Sequence, residues 1–460
     1  MQMTTLVIGG GPSGLMTALL LARAGHQVEV FEAKSVIGGC HRAERVNGLF
    51  SEHGPRIYSS GYLNFDRILS KIGMSLENDF KVYNHQFPVG LSGVLERATP
   101  SEMFTLLSSF LVYCFVPSYY NDMSVEEYCV SNSFSEKLTQ YMDQICKLTD
   151  GGDKSRYTMG ELFALPDQNG LYKIMQPRIA NDKGLIPKLT TALNELGVAI
   201  HTEQKCMKFD NKNVYFEGTF FLPYKSLILA IPPKPLASIL KRSDALSLSP
   251  EIEKYAIDTA YIHYLSFTLY LLDDEDAPEV WGNGLGAWNI VFIDLSSYFE
   301  NEERRFISCA IVDLDTKSPV TTKTANETET MEELKVEARR QLSEHLRVDW
   351  LGEIHFNSGV KRVGNEWISE DTAFMRTPGA RGLNARLSKR VFTIGTHNQR
   401  NLYDFTSMEA VSENVIQFVN DFEPKTREDI DGIVDRMKLS FLVKAISLSL
   451  VKLYIFKLLF

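Results

Sequence analysis

The apolar positions near the start of this chain change rhythm in a fixed order. Leu6, Val7 and Ile8 form a short continuous apolar run, as in a strand buried on both faces. A glycine-rich stretch, Gly9 to Gly14, follows, and then LMTALLLARAG, which predicts a helix. Gln27 to Phe31 alternates and ends on Glu32, predicting a second strand and so a βαβ unit. Further on, EMFTLLSSFLVYCFV and the more polar SFSEKLTQYMDQICKL predict helices, and the β-branched, aromatic run YIHYLSFTLYL predicts a strand. MEELKVEARRQLSEHL predicts a helix that buries Leu334, Val336, Leu342 and Leu346 on one face.

Two apolar stretches raise the question of a membrane. The run from Phe104 to Val116 is shorter than the roughly 20 residues a spanning helix needs, so it reads as a buried helix. The last residues, LSFLVKAISLSLVKLYIFKLLF, are overwhelmingly apolar and contain Lys444, Lys452 and Lys457 but no acid. As a helix this tail is long enough to span a bilayer, yet a lysine at depth costs roughly 2.5–3.5 kcal/mol. Its lysines also fall on different faces, unlike those of an amphipathic surface helix. Two readings stand: an in-plane or partly inserted anchor whose lysines snorkel toward anionic lipid, and a terminal helix packed on the protein body or a partner.

Composition narrows the class. A chain of 460 residues, 44% hydrophobic and 23% charged, is an ordinary globular protein of two or three domains. A net charge of −10 argues against nucleic acid as a partner. The six cysteines show no paired spacing, so they read as buried thiols of a reducing compartment, with neither a disulfide frame nor a metal site. With the first strand beginning almost at residue 1, no signal peptide is expected, and the expected location is cytoplasmic with membrane association through the tail.

The glycine stretch carries the chemistry. Gly9-x-Gly11-x-x-Gly14 supplies a tight turn, a close backbone approach to a pyrophosphate and a close helix-to-strand contact, with Pro12 and Ser13 between them. The helix that follows aims free N–H groups at phosphate. Glu32 is placed to accept a hydrogen bond from an adenosine ribose, which disfavours NADP. Soon after Ala33 comes Gly38-Gly39, a second close-approach turn that a simple nicotinamide dehydrogenase does not require. Two such turns near one pyrophosphate point to FAD.

These residues resemble the N-terminal FAD fingerprint of the flavin-containing amine oxidase superfamily, which includes phytoene desaturases and protoporphyrinogen oxidases. The resemblance continues in order through GLFSEHGPRI, where Gly54, Pro55, Arg56 and Ile57 would sit beside the flavin. VAIHTEQKCMKF resembles the strand that clasps the adenine, with Cys206 at the clasping position, and SLILAIPP resembles the next strand, with Ala230 near the cofactor. VFTIGTHNQRNLYDFTSMEAVSENV resembles the closing motif, where Gly395 and Thr396 meet the ribityl and phosphate region and Ser407 and Met408 begin a helix aimed at the flavin ring. There are departures. Cys40 stands where the family usually has an arginine, leaving Arg42 to meet the phosphate, and Thr396 stands where an acid is usual. The lysine of true amine oxidases is missing from AYIHYLSFTLYL, and Ser407 replaces a wall of the amine cage.

The resemblance implies an α/β fold: a Rossmann-type FAD-binding domain built from discontinuous segments (1–75, 184–260 and 386–424), with an inserted α+β substrate domain (76–183 and 261–385). Residues 425–460 form the tail, with peripheral membrane contact through 438–460. It implies an FAD-dependent oxidoreductase that oxidises an apolar or amphipathic small molecule at a C–N or C–C bond by hydride transfer to flavin. Candidates for catalysis are Arg56, Tyr264 and Tyr403. Two other readings use the same fold: a redox-neutral flavoenzyme like UDP-galactopyranose mutase, and a non-catalytic binding protein like the Rab GDP-dissociation inhibitors.

Overall fold

The computed structural model describes residues 4–83, 91–150, 152–218, 220–272, 281–283, 286–300, 302–344, 346, 351–370, 373–375, 382–398, 407–422 and 432–459. The opening strand, Thr4–Ile8, lies inside a sheet that contains seven strands among the described residues. Its parallel core runs in the order Ala199–His201, Val28–Phe31, Thr4–Ile8, Phe221–Leu229, Val391–Thr393. The fourth of these is longer than its neighbours. Its first half pairs antiparallel with Asn213–Phe216, which pairs in turn with Cys206–Phe209, while its second half carries the parallel ladder. The expected α/β fold with a Rossmann-like unit is present.

Helices Pro12–Arg23 and Met408–Phe422 pack against each other over this sheet, and both bury almost all of their length. A second, antiparallel sheet has the order Trp281–Asn283, Ile290–Asp294, Phe306–Ile311, Leu265–Leu271, Leu351–Phe356. Helix Met331–Leu342 lies against it through Leu334, Ala338 and Leu342, with Leu346 buried just past its end. The expected inward position of Val336 is wrong: it is 60% exposed. It sits two residues, about 200° around the helix, from Leu334, so both cannot face the sheet.

A helical layer forms the third part, with Pro100–Phe115, Val125–Ser131, Glu136–Asp150 and Met159–Asn169. Three helices here open on a capping box, in which a Thr or Ser side chain and a Glu three residues on satisfy each other's backbone N–H: Thr99 with Glu102, Ser124 with Glu127, Thr158 with Glu161. The expectation that Pro100–Phe115 is a buried helix fails. Only Glu102, Tyr113 and Cys114 are buried, and Phe104 is 73% exposed. The tail forms one helix, Leu439–Leu459, which packs on Pro100–Phe115 and Met159–Asn169. Its start is fixed by the Asp167 carboxylate, which accepts the Ser440 backbone N–H at 2.5 Å. No helix among the described residues is long and apolar enough to cross a membrane. The cysteines are free thiols.

Candidate functional site

The turn after the first strand is built so that only glycine fits at two of its positions. Gly9 has φ +112°, and a Cβ there would lie 2.4 Å from the Ala230 carbonyl oxygen. A Cβ on Gly14 would fall 1.9 Å from the Gly9 carbonyl oxygen, so the first helix can seat itself only without one. Gly11 differs. Its Cβ would meet nothing nearer than Gly39 Cα at 3.8 Å, and its empty side faces a cavity. Helix Pro12–Arg23 starts there, with Pro at its first turn and no side chain capping its N–H groups.

Glu32 is held by the same turn. Its Oε2 accepts the Gly10 N–H at 2.7 Å and its Oε1 the Lys34 N–H at 2.9 Å, which points the carboxylate at the cavity edge. The second glycine pair folds back on the first: Gly38 N–H donates to Gly10 O at 2.7 Å, and Gly38 and Gly39 both take positive φ. Two turns that the sequence separates thus form one cradle.

The cavity they open into has a volume of about 1560 Å³. Gly9, Gly11, Pro12, Ser13, Glu32 and Gly39 line one end, with Arg42 beside them. Gly54, Pro55, Arg56 and Ile57 line its middle together with Ala230 and Tyr264. Gly395, Thr396, Ser407 and Met408 close another wall. The opposite end is apolar, formed by Met103, Leu106, Leu107 and Phe110 of the Pro100–Phe115 helix and by Leu162, Phe163 and Leu439. Of the remaining expected residues, Gly14, Gly38, Ala33 and Cys206 do not line it. Cys206 is buried in the core with Phe31 and Phe216, where burial pushes its thiol up to about 12. Tyr403 lies outside the described residues.

A compact polar cluster flanks the middle of the cavity. Arg56 Nη1 lies 3.5 Å from His41 Nε2, and the Tyr58 hydroxyl lies 3.5 Å from His41 Nδ1. Burial first, then the positive charge of Arg56 and the neighbouring His53, holds His41 well below its usual value. Arg56 Nε and Nη2 are buried with no hydrogen-bond partner among the described residues. Glu52, buried behind this group, accepts from Ser308 Oγ at 2.7 Å. Burial pushes its carboxyl up to about 7, against the opposing pull of Arg56. The His53 ring meets Tyr264 edge-on at 6.1 Å. Arg42 Nε is engaged with Glu44 at 2.9 Å.

The closing segment is locked from behind. Gly395 N–H donates to Asn398 Oδ1 at 2.8 Å, and Asn414 Nδ2 donates to Gly395 O at 3.1 Å. Ser407 Oγ accepts the Ala410 N–H at 3.1 Å and so caps the helix that begins at Met408. Within the same first turn, the Glu409 carboxylate accepts backbone N–H groups of Asn64 and Phe65 at 3.0 and 2.9 Å. Arg436 reaches Glu409 and Glu413 at 3.2 and 2.9 Å, and all three side chains are buried. No local pattern signals this network, because Arg436 stands among charged residues of the kind that face solvent. The apolar wall from Pro100–Phe115 was equally hidden, since a leucine facing a cavity has the same periodicity as one facing a core.

Comparison with known proteins agrees with this geometry. A family model described as an NAD(P)-binding Rossmann-like domain matches residues 7–72. The chain is 33% identical over 86 residues to a zeta-carotene desaturase of Synechocystis sp., covering 18% of each chain. It is 34% identical over 76 residues to an L-amino-acid oxidase of Sistrurus catenatus edwardsii, covering 16% of this chain and 15% of that one. The chain thus matches less than a fifth of the length of these curated relatives. A solved putrescine oxidase, bound to putrescine, superposes with TM-score 0.66 at 13% identity, over 92% of this chain and 99% of that one. The fold is therefore like that of a solved amine oxidase, while the sequence likeness to a desaturase and an amino-acid oxidase is confined to less than a fifth of the chain.

Proposed function

We propose that the chain is an FAD-dependent oxidoreductase that takes two electrons, as a hydride equivalent, from an apolar or amphipathic small molecule at a C–N or C–C bond. One observation carries this reading: a single cavity of about 1560 Å³ joins a double-glycine dinucleotide cradle to an apolar compartment. Backbone atoms of Gly9, Gly11, Pro12, Ser13 and Gly39 would hold the pyrophosphate, Glu32 the ribose, and Gly395, Thr396, Ser407 and Met408 the flavin end. The open face of Gly11 fits a group that needs close backbone approach, and the uncapped helix N-terminus fits its charge. Bound FAD supplies the electron acceptor, and the protein's part is to orient the substrate and exclude water. Arg56, with two buried N–H-bearing atoms unpartnered among the described residues at the cavity wall, fits an anionic group on substrate or cofactor. The tail, residues 438–460, is the segment through which the protein would touch a membrane.

The test is spectroscopic. Purified protein incubated with FAD and desalted is expected to keep flavin absorbance bands, and an anaerobic screen of amines, carotenoid or sterol precursors and porphyrinogens is expected to find a compound that bleaches them. Absence of retained flavin overturns the enzyme reading in favour of a binding protein. Turnover without bleaching favours a redox-neutral reaction.

A further inference from the structure

We infer that Tyr58 is a substrate-binding residue whose hydroxyl donates a hydrogen bond into the cavity, so that the site takes a molecule presenting an acceptor oxygen there and rejects an alkylammonium. This rests on the oxidoreductase reading and names the polar group of its substrate. Tyr58, His41 and Arg56 all line the cavity. The Tyr58 ring packs on Phe65 and Phe80, with centroids at 6.1 and 5.1 Å, and its hydroxyl is the end that meets His41 and Asn181.

The direction of the Tyr58 proton follows from the donors around it. A guanidinium only donates, so His41 Nε2, 3.5 Å from Arg56 Nη1, is the accepting nitrogen of the imidazole. Burial first, and then the charge of Arg56, keeps this ring neutral. Its one proton therefore sits on Nδ1 and is donated to the Tyr58 oxygen at 3.5 Å. Asn181 supplies a second donor. Its amide nitrogen lies 3.4 Å from the His41 carbonyl oxygen and 3.4 Å from the Tyr58 oxygen, and because a carbonyl oxygen only accepts, the first contact fixes that atom as Nδ2. The Tyr58 oxygen thus receives two hydrogen bonds, and its own proton has no acceptor among the described residues. The cavity is where it can find one.

The same cluster holds Arg56 Nε and Nη2, buried and without a partner among the described residues. Three donor groups and a fixed positive charge therefore converge. An ammonium brought here would meet a like charge and donors only, whereas a carbonyl or carboxylate oxygen would satisfy them. On the reading above, the pyrophosphate and ribose of FAD are met by the glycine cradle and Glu32. That leaves these donors for the second occupant of the cavity.

The full chain is incubated with FAD and desalted, and two probes of one shape and opposite head groups, phenylbutyrate and phenylbutylamine, are titrated in by calorimetry at neutral pH. The wild type is expected to bind the carboxylate about tenfold more tightly than the amine, or better. Tyr58→Phe keeps the ring on Phe65 and Phe80 and removes only the proton donor, so it should weaken the carboxylate about tenfold while leaving retained flavin unchanged. Asn181→Asp gives the Tyr58 proton an acceptor away from the cavity. It should narrow the preference for carboxylate over amine by a similar factor, a change that general loosening of the fold would not produce. Circular dichroism shows whether each variant is folded. The inference is overturned if the wild type does not prefer the carboxylate, if Tyr58→Phe binds it as well as the wild type, or if Asn181→Asp keeps the full preference. It is equally overturned if Tyr58→Phe loses flavin instead, since the donor would then serve the cofactor. A wild type that retains no flavin counts against the oxidoreductase reading, and the same titrations then test the Tyr58 donor in the flavin-free chain.

Discussion

Gly11 and Gly14 stand three residues apart and predict opposite behaviour. Gly11→Ala places a methyl group in open space at an ordinary φ of −78°, so stability should change by about 0.5 kcal/mol or less while FAD affinity falls at least tenfold. Gly14→Ala places a methyl group inside the Gly9 carbonyl, so the cost should be about 1–3 kcal/mol or more before any ligand is added. Thermal melts with and without FAD separate the two. Glu52 and His397 form a second opposed pair. The Glu52 carboxyl, raised to about 7, makes the folded state bind more protons than the unfolded chain, so its contribution is full below the ordinary carboxyl value and is lost as pH rises toward 7. Burial lowers His397 to about 4, so its contribution is full above the ordinary imidazole value and is lost as pH falls toward 4. The two slopes oppose each other near pH 5–6. Glu52→Gln should therefore unmask a loss of stability on acidification, and His397→Gln a loss on alkalinisation, each of about 2–3 kcal/mol across its window in pH-dependent denaturant melts. An unchanged profile in both variants would refute the assignment.

At the scale of elements, the helix Met408–Phe422 is held from two sides. Ser407, Met408 and Val411 line the cavity, while Glu409 and Glu413 bind Arg436. Burial raises the Glu409 carboxyl and the Arg436 charge draws it back. Arg436→Met leaves two buried carboxylates without their cation, which predicts a loss of about 3–5 kcal/mol in chemical denaturation. Adding Glu413→Gln should recover part of it. This helix and the opening βαβ unit were legible in the sequence, because a glycine turn and a capped apolar helix impose residue types that few other structures need. Helix Pro100–Phe115 was legible only as a helix. Its period says that apolar residues share faces, and nothing in it distinguishes a core neighbour from a cavity or from bare surface. Val336 makes the same point in reverse, since an apolar residue near a stripe was counted as part of it.

Across the whole molecule, the cradle residues and Arg56 could be read from local motifs, while the grouping of His41 and Tyr58 around Arg56 could not, because no local pattern sets it. Ser308, which donates to Glu52, comes from the antiparallel sheet strand Phe306–Ile311, and Gln176, whose side chain donates to the Arg56 carbonyl oxygen at 2.6 Å, comes from the strand Ile174–Pro177 of a small three-stranded sheet. Such contacts are set by tertiary packing alone.

The strand order has a consequence for how the protein is made. Thr4–Ile8 is made well before one of its neighbours in the sheet, Phe221–Leu229, which gains its own outer partner only with Val391–Thr393. At about 5–20 residues per second, roughly 20–80 seconds separate synthesis of the first strand from the last. For that interval the opening helix has no Met408–Phe422 to pack on, and its apolar surface is exposed to chaperones. Ribosome-bound chains stalled before Gly395 should therefore retain no flavin and remain protease-sensitive, and cofactor capture should begin only once Met408–Phe422 has emerged.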